Sequence, residues 1–89
     1  MLADALSGRS DARLPAVAAA FAEACGSGLS RHVALRGLTR DGCLIAVATT
    51  RAWADQVEAL GPILRGRVNE RMGGEIAKAL DVRVGPLGR

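Results

Sequence analysis

The sequence predicts a two-layer α+β domain of order α-β-β-α-β, with a three-stranded mixed sheet covered on one face by two helices. Three observations predict it. Apolar residues recur at helical spacing over residues 14–29 and again over 51–72. A turn signal, Thr39-Arg40-Asp41-Gly42, separates two short apolar runs. Leu80-Asp81-Val82-Arg83-Val84 alternates with a period of two. The chain has 89 residues, enough for one domain. At that size roughly 40% of the extended-chain surface stays exposed, so the core is thin. Hydrophobic residues make up 49%, which argues for a folded chain. With one Phe, one Trp and no Tyr, the core must be built of Leu, Val, Ile and Ala.

Residues 1–13 are weakly patterned, because Ser7-Gly8-Arg9-Ser10 breaks the turn that Leu2 and Leu6 suggest. We expect a flexible N-terminal arm there, a domain over 14–86 and a short tail at 87–89. The first helix follows the stripe Leu14, Ala18, Phe21, Cys25 and Leu29. Pro15 is tolerated in its first turn. Gly26 and Gly28 each cost roughly 1 kcal/mol against Ala, so an end or a bend is possible. The stripe holds phase to Leu29, and continuation to about Arg31 is favoured. In the first strand, residues 33–38, Val33 and Leu35 face one way while Ala34 and Arg36 face the other. Asp41-Gly42 supplies the positive-φ position of a hairpin turn. Residues 43–48 are apolar on both faces, as in a central, covered strand. Thr49 or Thr50 caps the next helix. Its stripe runs Trp53, Val57, Leu60, Leu64, Val68 and Met72. Pro62 after Gly61 predicts a kink or a short break, and Gly73-Gly74 ends the helix. The helix then serves as a right-handed crossover that permits parallel pairing of a third strand, residues 80–84.

The net charge is +3, with a sequence pI near 9.7. Its distribution is uneven. Residues 1–26 hold two arginines and three acids, and residues 27–89 hold ten Arg or Lys and six acids. The basic character therefore belongs to the sheet and the second half, which suits a polyanionic partner. Cys25 and Cys43 sit in apolar patterns and read as buried free thiols. Two Cys and one His at scattered positions do not make a zinc site, and no cofactor motif is present. No apolar run reaches the ~18 residues of a membrane span, and no leader is evident. The expected setting is cytoplasmic and reducing.

Arg65, Arg67, Arg71 and Lys78 form the densest basic group, with Arg67 and Arg71 on one helical face and Arg65 round the cylinder. Arg31, Arg36 and Arg40 add charge near the hairpin. These side chains read either as a phosphate-tracking patch for DNA of any sequence or as a solvated face partly neutralised by Glu70, Glu75 and Asp81. The residues expected to contact nucleic acid are Arg31, Arg36, Arg65, Arg67, Arg71 and Lys78. Trp53 is offered to a base or to the core, and its place at the head of the stripe favours the core. His32 has no Ser, Cys or carboxylate at telling spacing and is no catalyst. Asp55 and Glu58 read as a solvated face. Asn69, beside the stripe, is placed either to cap or to bridge to backbone. No nucleophile–base set, metal cluster or Gly-rich phosphate loop supports an enzyme.

Taken in order, several stretches resemble the DciA-like family of bacterial replicative-helicase loaders. They are Phe21-Ala22-Glu23-Ala24-Cys25-Gly26, Leu29-Ser30-Arg31-His32, residues 38–44 around Asp41-Gly42, Ala52-Trp53-Ala54, residues 64–73 around Asn69, and Val82-Arg83-Val84-Gly85. Phe21 stands where the family commonly has Trp, and Val68 and Met72 replace common leucines. The resemblance covers about residues 12–86. It implies a shortened KH-like domain of the second type. It also implies a non-enzymatic accessory role in replication initiation, with the replicative helicase and sequence-independent DNA as partners. A KH domain clamps nucleic-acid backbone with Gly-x-x-Gly. The corresponding Gly61-Pro62-Ile63-Leu64 lacks the second Gly and is apolar, so KH-style reading of bases is not expected. The competing expectation is a protein-interaction or dimerisation module that pairs through a sheet edge and binds no nucleic acid.

Overall fold

The computed structural model describes residues 13–87. Most of the expected arm and the last two residues of the expected tail lie outside them. The elements are α1 (Leu14–Ser30), β1 (Val33–Leu38), β2 (Cys43–Ala48), α2 (Arg51–Ala59), α3 (Gly61–Met72) and β3 (Ala79–Val84). β1 and β2 form an antiparallel hairpin, β3 joins β2 in parallel, and the sheet order is β1-β2-β3. The fold is α+β with a mixed three-stranded sheet, as the sequence predicts.

The long amphipathic stripe is one seam carried by two helices. Leu60, at φ −90° and ψ 1°, separates α2 from α3. Pro62 follows in the first turn of α3, where a missing N–H costs nothing. Thr50 Oγ1 accepts from the Trp53 N–H at 3.2 Å and so starts α2. Gly73, at φ 75°, ends α3 with its N–H on Asn69 O at 2.9 Å. Val57, Leu64 and Val68 are fully buried, and Trp53, Leu60 and Met72 pack around them.

The first helix departs from its expected stripe. Its buried side is Val17, Ala20, Phe21 and Ala24, while Leu14 and Ala18 sit at the rim. The alanines, which the larger residues outweighed, are what face inward and let α1 approach α3 closely. Gly26 takes φ 85° and ψ 167°, so the helix breaks there and resumes for one more turn to Ser30. Only glycine adopts that backbone without strain.

β2 is central, but the helices cover only the side bearing Leu44, Ala46 and Ala48, all 0% exposed. Cys43, Ile45 and Val47 stay half-buried on the open face, which corrects the expectation of a strand covered on both sides. The register of β1 shifts between Leu35 and Gly37, leaving Arg36 as the extra residue. That bulge turns Leu38 back to the helix side, opposite Leu44. At the turn, Gly42 has φ 91°, and a Cβ there would meet the Ile76 carbonyl oxygen at 2.9 Å. Its own carbonyl accepts from the Lys78 N–H at 2.7 Å, which ties the start of β3 to the hairpin turn.

Candidate nucleic-acid interface

The structure sorts the six predicted contact residues into separate places. Arg65 lies on α3 and donates through Nη1 to the Lys78 carbonyl at 3.1 Å. Together they line a cleft of about 330 Å³ with Glu58, Gly61, Pro62 and Leu80. Lys78 also lines a smaller neighbouring cleft of about 140 Å³, with Arg13, Arg40, Asp41 and Glu75. Arg65, Lys78, Arg40 and Arg13 thus follow one another as a basic band around the hairpin-turn end of the sheet. Sequence spacing could not join them, because Arg40 and Lys78 are brought together by the Lys78 and Ala79 N–H bonds to the Gly42 carbonyl and the parallel pairing of β3 with β2. Arg40 and Lys78 have no side-chain hydrogen bond or ion pair among the described residues, and both are exposed.

Arg67 and Arg71 share a face, as their spacing indicates, but it opens on another cleft, of about 440 Å³ between α1 and α3. Both are engaged there. Arg67 Nη1 donates to the Ala24 carbonyl at 2.9 Å, one of the carbonyls freed by the helix break at Gly26. Arg71 pairs with Glu23. With Glu70 also lining the cleft, its charges balance. Arg31 is exposed at the end of α1 and has no side-chain partner among the described residues. Arg36, from the bulge of β1, donates to the Pro86 carbonyl at 3.0 Å. It therefore reaches past β2 to the far side of the sheet.

Asn69 clamps the chain between α3 and β3. Its Oδ1 accepts from the Ala77 N–H at 2.6 Å and its Nδ2 donates to the Ala77 carbonyl at 3.0 Å. That clamp delivers Lys78 to the band. Trp53 and His32 stack with ring centroids 4.3 Å apart and 6° between planes. Both are half-buried, at the end of the sheet opposite the hairpin turn. The segment that corresponds to a KH clamp is the first turn of α3 rather than a loop, with Gly61 and Leu64 buried and Pro62 and Ile63 exposed. Asp55 pairs with Arg51 at 3.4 Å on the surface of α2. Cys25 and Cys43 are free and half-buried rather than fully buried. Burial pushes the Cys25 thiol up to about 11, which keeps it protonated at neutral pH. Among the described residues, no group of three His, Cys, Asp or Glu side chains is placed to hold a metal ion.

Over residues 1–82 the chain matches the family described as "Dna[CI] antecedent, DciA". The chain belongs to the DciA family. That family is linked to replication initiation through helicase loading and is not a known enzyme family. The match takes in residues 1–13, where the sequence predicts a flexible arm. No curated protein sequence matches the chain. Among the described residues, no helix is long and apolar enough to cross a membrane.

Proposed function

We propose that this DciA-family chain is an accessory protein of replication initiation that binds the replicative helicase and binds DNA without sequence preference. Membership of the family supports the helicase partner. The observation that carries the DNA reading is the band Arg65–Lys78–Arg40–Arg13, in which exposed Lys78 and Arg40, from the β3 approach and the hairpin turn, stand beside half-buried Arg65 of α3. No aromatic side chain lines it, and the first turn of α3, Gly61 and Pro62, borders it. Such a surface attracts phosphates and offers nothing to base edges. Arg31 and Arg36 extend the basic character beyond it. Arg67 and Arg71 rank below Arg40, Lys78 and Arg31, because releasing them for phosphate would break contacts to Ala24 and Glu23. Arg65 and Arg36 are likewise held, by the Lys78 and Pro86 carbonyls. Glu58, Asp41 and Glu75 dilute the band, so modest affinity is expected.

The test is fluorescence anisotropy of labelled single-stranded and duplex oligonucleotides of two unrelated sequences. Binding should be equal for the two sequences and should weaken as salt rises. Changing Arg40 and Lys78 together to Glu should weaken it at least tenfold, while changing Arg67 and Arg71 should do less. Equal loss from both pairs would argue against the band, and absence of binding at low salt would remove the DNA reading. Capture of purified replicative helicase by the immobilised chain, with and without nuclease, tests the protein partner separately.

A further inference from the structure

β3 is an edge strand. One side bonds β2, and among the described residues no backbone group bonds the other. The ladder determines which groups are left over. Ala79 and Gly85 both donate toward β2, to the carbonyls of Gly42 and Ala48. Alternation along the strand then turns the N–H and C=O of Leu80, Val82 and Val84 outward. Val84 is 46% exposed, one of two large hydrophobic residues so placed among the described residues. Asp81 and Arg83 stand on the open face and pair with each other at 3.0 Å.

We propose that this edge pairs antiparallel with β3 of a second copy, about a two-fold axis through Val82. The inference goes beyond the DNA and helicase reading and does not rest on it. In this register each outward-turned residue meets another: Val82 faces itself, and Leu80 faces the partner's Val84. Asp81 then lies directly opposite the partner's Arg83, in the pairs whose side chains come closest. The neighbouring two-fold registers fail on charge. An axis through Asp81 sets carboxylate against carboxylate, and one through Arg83 sets guanidinium against guanidinium. Each also leaves Val84 or Leu80 without a strand partner. Leu80 borders the cleft at the α2–α3 corner. The partner's Val84, on the helix-covered side, is directed towards it. Two three-stranded sheets become one of six strands, with all the helices on the same side.

The test is sedimentation velocity of the full chain without DNA, from low micromolar to sub-millimolar concentration. The expected result is a mass that rises towards twice the monomer. Val84→Pro removes one outward N–H and leaves the bonds to β2 intact. It should remain folded by circular dichroism and stay monomeric. Asp81→Arg alone sets like charges opposite each other twice and should weaken association roughly tenfold. Asp81→Arg combined with Arg83→Asp restores opposite charges and should restore association. A wild-type mass that stays at the monomer value throughout overturns the proposal, even if the edge captures another protein. So does a double variant as weak as the single one, or a Val84→Pro chain that associates like the wild type.

Discussion

Asn69 shows how one side chain can position a site it does not enter. It satisfies both backbone groups of Ala77, a residue only 2% exposed, and so holds the chain that presents Lys78. Asn69→Ala leaves a buried N–H and C=O without partners, which costs about 1–3 kcal/mol. Urea denaturation should show that loss as a lower midpoint with little change in slope. The sequence marks Asn69 as a backbone bridge, because a polar residue beside an apolar seam needs a partner. It does not say which backbone, since Ala77 lies past the glycines that end α3. Arg67 is the opposite case. Its sequence position suggests an outward cation, yet the break at Gly26 presents a carbonyl that draws it inward. That requirement belongs to a different helix, and no local pattern reports it.

Among the elements, the hairpin and the seam were the most legible, because each declares itself within a few residues. Asp41-Gly42 lies between apolar runs, and the spacing from Trp53 to Met72 persists across Leu60. α1 was less so. Leu14, Ala18 and Cys25 suggested a stripe offset from the true one, and Val17, Ala20 and Ala24 join Phe21 on the buried face instead. The hairpin turn carries a testable demand. Gly42→Ala places a Cβ 2.9 Å from the Ile76 carbonyl oxygen at a φ of +91°. Strain and clash act in the same direction and should cost about 1–3 kcal/mol. The thermal midpoint should fall by several degrees. Because the Gly42 carbonyl also receives the Lys78 N–H, the variant should loosen the start of β3 as well.

At the scale of the molecule, the helices occupy one side of the sheet, and most of the cations divide between the band at the hairpin-turn end and the cleft between α1 and α3. Net charge and its concentration in the second half were readable from composition. Which cations become neighbours was not, because the band is assembled by the parallel return of β3 to the hairpin. If Arg40 and Lys78, which have no side-chain partner among the described residues, each contact a phosphate on duplex DNA, the logarithm of affinity should fall with the logarithm of salt at a slope of roughly −2. A titration series at constant pH measures it, and a slope near zero would show that the band carries no phosphate.

The chain has one tryptophan and one histidine, and they lie ring on ring. Its intrinsic fluorescence therefore gauges the joint between the end of α1 and the start of α2. The hairpin turn is at the far end of the sheet. A polyanion held there would leave that emission dark to its arrival unless the strands themselves relayed the event.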